Sequence, residues 1–170
     1  IAAQIDKGSM AYNLATPTTR NQITGTSAIF LMLSLTLMFI CISITGIVVA
    51  EIVQPGELDI STFLLVTAGA YLLQFAISGI VFFASCVFNF SSKSLMIGAG
   101  LSVFFFAINL LVNMSSDLEF LKVVSLFELF DASAIIAGEE FLLQWVALFG
   151  IGTLLYIGGI LFFKRKDLPL

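Results

Sequence analysis

Few side chains in this chain could do chemistry, and their spacing restricts what they do. Asn109 and Asn113 stand four residues apart inside a long apolar run, so on a helix they share one face. In hydrocarbon, amides on such a face bond a neighbouring helix or line a polar cavity; bonding between helices is preferred here to contact with a substrate. Glu128 and Asp131 lie in a Leu- and Phe-rich stretch between two apolar runs. They could line the exit of a pathway, but carboxylates in this setting read first as solvated caps of short helices. Cys41 and Cys86 both fall within apolar runs, where a thiol packs as a small apolar group.

The residue types that are missing narrow the chemistry further. The chain has no His, which excludes His-based metal sites and His-dependent triads. It has no Gly-rich phosphate loop of the Walker type, so it does not hydrolyse ATP by that route. The long apolar runs carry no ionisable Asp, Glu, Lys or Arg of the kind that relays protons or ions. The acids in the loops lack a paired nucleophile or a metal-binding pattern. The expectation is a protein that is not an enzyme and holds no metal or cofactor of its own.

Composition says what solvent surrounds these residues. Of 170 positions 59% are hydrophobic and only 11% charged, and Phe occurs 18 times. The mean hydropathy is +1.11. A soluble domain carries about 25% charged residues. Four stretches have no charge at all, 21–50, 60–92, 94–116 and 141–163. Each exceeds the roughly 20 residues with which a helix crosses hydrocarbon. The runs are continuously apolar rather than alternating, and in lipid a helix satisfies its own backbone, so helices are expected rather than strands. The predicted fold is all-α and polytopic, with spans at 27–50, 60–88, 95–114 and 141–163. Gly46, Gly79, Gly98, Gly100, Gly150 and Gly152 are expected to mark close helix approach.

Charge sets the orientation. Lys7, Arg20, Lys93, Lys164, Arg165 and Lys166 fall on one side of these spans. The other side holds Glu51, Glu57, Asp59, Asp117, Glu119, Glu128, Asp131, Glu139 and Glu140, with Lys122 its only base. Basic loops stay in the cytoplasm, so both termini are expected inside and the acidic loops outside. The acidic pI near 4.5 therefore reflects the outer loops and says little about partners. No nucleic-acid partner is expected.

Two polar segments carry helix signals. In 1–26, Ile1 and Ile5, then Met10 and Leu14, recur at helical spacing. Thr16 before Pro17 breaks the helix. Thr19 and Gln22 then form the T-x-x-Q capping box that opens the next helix. This reads as an amphipathic segment ahead of the first span, either a surface anchor or a contact for a partner. In 115–140, Ser116 and Glu119 form a second capping box, Leu118, Leu121, Leu126 and Leu129 follow at helical spacing, and Asp131 caps a short helix that Gly138 ends. The chain begins with Ile rather than Met, and the expectation is a C-terminal piece of a longer protein.

The run Ile5-Asp6-Lys7-Gly8-Ser9-Met10-Ala11-Tyr12-Asn13-Leu14-Ala15-Thr16-Pro17-Thr18-Thr19-Arg20 resembles the cytoplasmic segment of type-2 ABC exporter permeases, where a D-K/R-G-S/T-M-x-Y-L-L-S/A-x-P-x-S/T-R pattern precedes the third span. Asn13 departs from it, standing where the family has Leu. Ser125-Leu126-Phe127-Glu128-Leu129-Phe130-Asp131 through Ile135 is similar to the family's short extracellular helices before the last span, and Phe163-Lys164-Arg165-Lys166-Asp167-Leu168-Pro169-Leu170 to its K-R-x-D-L-P-L ending. The resemblance covers essentially the whole chain and implies the last four of six spans. It implies a permease subunit in the plasma membrane, in a bacterial cell membrane by expectation, that exports a substrate by alternating access. A separate ABC ATPase subunit would bind the ATP, and a second permease subunit would complete the pathway. It further implies that Asp6, Lys7, Gly8, Met10, Leu14, Pro17 and Arg20 belong to the segment that couples to the ATPase. The alternative is a four-helix membrane protein that does not transport, such as a sensor, an immunity factor or a scaffold.

Overall fold

The computed structural model of the protein describes residues 1–6, 19–114, 125–138 and 140–166. Among them the chain is all-helical, as the apolar runs require. A short helix α1 (Ala2–Asp6) precedes three long ones, α2 (Arg20–Val53), α3 (Ile60–Val87) and α4 (Ser91–Met114). A 3-10 turn (Leu126–Leu129), a short helix α5 (Ala132–Ala137) and a last long helix α6 (Leu142–Arg165) follow. Four helices, α2, α3, α4 and α6, are long and apolar enough to cross a membrane. The protein is a multi-pass membrane protein by this architecture.

Local chemistry sets the helix ends. The Thr19 hydroxyl accepts from the Gln22 backbone N–H at 3.3 Å, and the Gln22 side chain accepts from the Thr19 N–H at 2.8 Å. The reciprocal box satisfies two donors that a helix start leaves orphaned. Asp59 opens α3 by accepting from Ser61 N–H at 3.0 Å. Asp131 opens α5 by accepting from Ser133 and Ala134 at 2.8 and 3.1 Å. Gly138 closes α5 in the left-handed region, at φ 76°. Leu126 and Leu129 sit in the 3-10 turn; the Ser116–Glu119 box, Leu118 and Leu121 lie outside the described residues.

The centre of the bundle is the pair α3 and α6, which run parallel. Gly69 of α3 faces Trp145 of α6, Phe75 faces Gly152, and Phe82 faces Gly159, in ascending order along both helices. Backbones come closest where small residues meet. A Cβ on Gly79 would lie 3.1 Å from the Gly152 carbonyl oxygen, and one on Gly152 only 2.5 Å from the Phe75 ring. Phe75 fills the space so opened, stacking on Phe149 and Tyr156 with centroids 5.9 and 5.4 Å apart. Leu148 and Phe163 are completely buried in the same seam. Tyr156 keeps its hydroxyl satisfied inside this apolar layer through Ser78, at 2.9 Å.

Gly46, Gly79, Gly98 and Gly152 do lie at close approaches, but among the described residues nothing comes within 4 Å of a Cβ added at Gly100 or Gly150. Cys86 is buried as a small packing residue, whereas Cys41 is exposed on α2.

Helix α2 is the peripheral element. Only Thr24 and Ala28 on it are buried, while Ile29, Phe30, Leu33, Leu37, Ile44 and Ile52 are exposed around its surface. In water that surface would drive collapse, and in hydrocarbon it is the matching solvent. Charges divide between the ends of the bundle. Arg20, Lys93, Lys164, Arg165 and Lys166 gather where α2 and α4 begin and α3 and α6 end. Glu51, Glu57, Asp59, Glu128, Asp131 and Glu140 lie at the opposite end.

Candidate functional site

At the basic end, side chains of one helix close the open ends of others. Lys166, just after α6, donates its ammonium to the carbonyl oxygens of Cys86 and Val87 at 3.0 and 2.7 Å. These carbonyls belong to the last turn of α3, which has no intrahelical donors left. Arg20, the first residue of α2, donates its guanidinium to the carbonyl of Lys166 at 2.6 Å. Burial lowers the affinity of Lys166 for its proton, and the nearby Cys86 works against that shift. The result is a relay of caps joining α2 to α6 and α6 to α3.

Helix α1 seals the remaining corner. The Ala2 backbone N–H donates to the Ser85 hydroxyl at 3.1 Å, which ties α1 to the end of α3. The Asp6 carboxylate accepts from the backbone N–H of Ser91 at 3.2 Å, which ties it to the start of α4. A carboxylate at that place meets an orphan donor and the positive end of the helix dipole together. Ala2 and Ile5 bury the apolar side of α1, and Ile5 joins the cluster of Ala28, Phe82, Cys86 and Phe163. In the turn between α3 and α4, the side-chain oxygen of Asn89 is buried without a hydrogen-bond partner among the described residues.

At the acidic end, a crevice of about 540 Å³ lies between α3, α4 and the 125–138 segment. Asn109, Glu128 and Asp131 line it together with Leu73, Phe127 and Phe130. One oxygen of Asp131 is committed to capping α5. The Phe130 ring closes the crevice floor against Gly69, where an added Cβ would lie 2.9 Å from the ring.

Of the residues singled out in the sequence, Asp6 and Arg20 stand at the basic end and both bond the bundle itself. Asn109, Glu128 and Asp131 come together in one crevice. Lys7, Gly8, Met10, Leu14 and Pro17 lie outside the described residues, as does the side chain of Asn113. Sequence reasoning missed Ser85, Ser91 and Lys166 as contact residues. Lys166 counted there only as a charge that orients the chain. The one available signal was its position directly after an apolar run, where a cation suits a helix end.

No family model matches this chain, and no curated protein or solved structure matches it.

Proposed function

We propose that the protein is the transmembrane permease part of an ATP-binding-cassette exporter, seated in the plasma membrane with its basic end in the cytoplasm. A separate ABC ATPase subunit supplies the energy, and a second permease subunit completes the pathway. The reading rests on the resemblance of 6–20 to a coupling segment, and one observation of geometry supports it. Helix α1, which enters that segment at Asp6, holds α3 through Ser85 and α4 through Ser91. At the other end of the segment, α2 begins at a capping box and Arg20 bonds the end of α6. A displacement of residues 7–18 would reach α3, α4 and α6 through hydrogen bonds at their ends and α2 through the chain itself. Such a mechanical link is what a permease needs if its ATPase is to switch the access of the pathway. The acidic crevice with Asn109, Glu128 and Asp131 lies at the far end, where a cargo would leave.

The test is purification of the protein from its native membranes in mild detergent, with mass spectrometry of what accompanies it. An ABC ATPase is expected, and it should be lost when Met10 and Leu14 are both changed to Asp. If none accompanies the protein under conditions that keep a known transporter intact, the protein is instead a membrane sensor or scaffold.

A further inference from the structure

A groove of about 630 Å³ opens at the basic end between α1, α2 and α3. Its volume is in the range of small-molecule sites. Its lining is graded along α2. Gln22 and, from α1, Gln4 stand at the mouth, while Phe30 and Leu31 of α2 and Val81 and Phe82 of α3 line the inner part. Gln22 and Leu31 are roughly 13 Å apart along the helix axis at the usual rise. The groove therefore runs from the rim of the apolar zone well into it. Ser27, on the same wall, spends its hydroxyl on the Ile23 carbonyl at 2.9 Å, and Thr26 beside it adds one polar group to an otherwise apolar wall. The groove opens sideways, since Phe30 is 68% exposed and Leu31 41% exposed. An occupant can enter from the bilayer without crossing water.

Charge selects among the amphiphiles that fit this shape. Arg20 is two residues from Gln22, and Lys93, Lys164, Arg165 and Lys166 share the same end of the bundle. Asp6 is the only acid there among the described residues, and it is bonded to Ser91. We propose that this groove is a binding site for an anionic phospholipid of the leaflet at the basic end. Its phosphate sits at the Gln4–Gln22 mouth in the field of these cations, and one acyl chain lies along Phe30, Leu31 and Val81. A second helix would place apolar side chains at this polar mouth, and a zwitterionic lipid gains nothing from the net positive field. The bound lipid bridges α1 to α2 and α3, so its presence holds the entry helix against the bundle.

Gln22→Glu tests the headgroup end. Glutamate serves the capping box as well as glutamine does, so the start of α2 is kept while a negative charge enters the mouth. Purified protein in phosphatidylcholine mixed micelles is titrated with phosphatidylglycerol, and the thermal midpoint and the lipid retained in native mass spectrometry are read. The wild-type chain should retain phosphatidylglycerol about tenfold better than phosphatidylcholine and gain thermal stability from it. Gln22→Glu should lose that preference while its midpoint in phosphatidylcholine stays unchanged. Equal effects of the two lipids on the wild type, or an undiminished preference in Gln22→Glu, overturns the site. Should the variant fold poorly, Leu31→Trp decides with acyl-brominated lipids. Stronger quenching by the phosphatidylglycerol than by the phosphatidylcholine at equal mole fraction supports the site, and equal quenching refutes it. Trp145, at the acidic end, supplies a constant background.

Discussion

The ammonium nitrogen of Lys166 stands 2.7 Å from the carbonyl oxygen of Val87, so the residue that follows α6 closes the last turn of α3. One cation can do this because α3 and α6 are parallel and end at the same level. Their negative dipole ends coincide, and the charge of Lys166 serves both. Lys166→Met should leave the carbonyls of Cys86 and Val87 without their donor. At a partly exposed site water recovers some of the loss, so the expected cost is about 1 kcal/mol. The check is the thermal midpoint in detergent, which should fall by roughly 2–4 °C for a chain of this size. Lys166→Arg should recover most of it.

Asp59 offers a pH test at the other end. The Thr62 hydroxyl, then the Thr62 backbone N–H, hold its carboxyl below the ordinary aspartate range; desolvation opposes them, and the Ser61 backbone N–H adds a smaller downward effect. A lowered carboxylate pKa means that the unfolded chain binds the proton more readily. The contribution of Asp59 is therefore complete above 3.8 and is lost as pH falls through the folded value. Asp59→Asn keeps an acceptor for the helix start but cannot titrate. As pH falls from about 4 downward, where a lowered carboxylate takes up its proton, the variant should lose less thermal stability than the wild type. Parallel losses in the two proteins would remove Asp59 from the account.

Gly152 and Gly100 should respond in opposite senses to the same change. Gly152→Ala places a methyl carbon 2.5 Å from the Phe75 ring and 3.3 Å from the Ala76 Cα. Phe75 is stacked on Phe149 and Tyr156 and has no room to retreat. The expected cost is about 1–3 kcal/mol by overpacking, read as a lower thermal midpoint. Gly100→Ala meets nothing within 4 Å and lies inside a helix. It should be neutral or stabilising by about 0.5–1 kcal/mol.

These positions also mark how far the sequence could be read. Thr19 with Gln22, Asp131 and Gly138 were visible, because a cap is a relation among residues a few positions apart, whereas Asp59 was read only as a charge. The four long helices were visible because an uncharged run of this length has no other solution in lipid. The pairing of α3 with α6 was hidden. In water, the buried face of a helix is the apolar one, but here every face is apolar, and α2 shows that such a surface can remain almost wholly outside. Hence Gly100 and Gly152 look alike in the sequence and differ completely in the fold. Glu128 and Asp131 were read together and Asn109 apart from them, yet that all three line a single crevice depends on where the 125–138 segment packs. Lys166 reaches α3 across a separation of 79 positions along the chain, a relation that no local pattern encodes.

Asp6 carries the last prediction, which concerns transmission rather than stability. Its carboxylate accepts from Ser91 N–H at an exposed place, so in Asp6→Ala water can take over the acceptor role and folding should change little. What the variant loses is a direct link between the entry segment and α4. If residues 7–18 pass a push from an ATPase to the spans, Asp6→Ala should keep the ATPase bound and still slow transport several-fold. Asp6→Asn retains an acceptor oxygen and should lie between the variant and the wild type. Co-purification and transport are measured on the same preparations, so that a lost partner is distinguished from a lost link. Unchanged transport in Asp6→Ala would show that the push reaches α4 by another route, such as the Ser85 contact or the Arg20–Lys166 bond at that end.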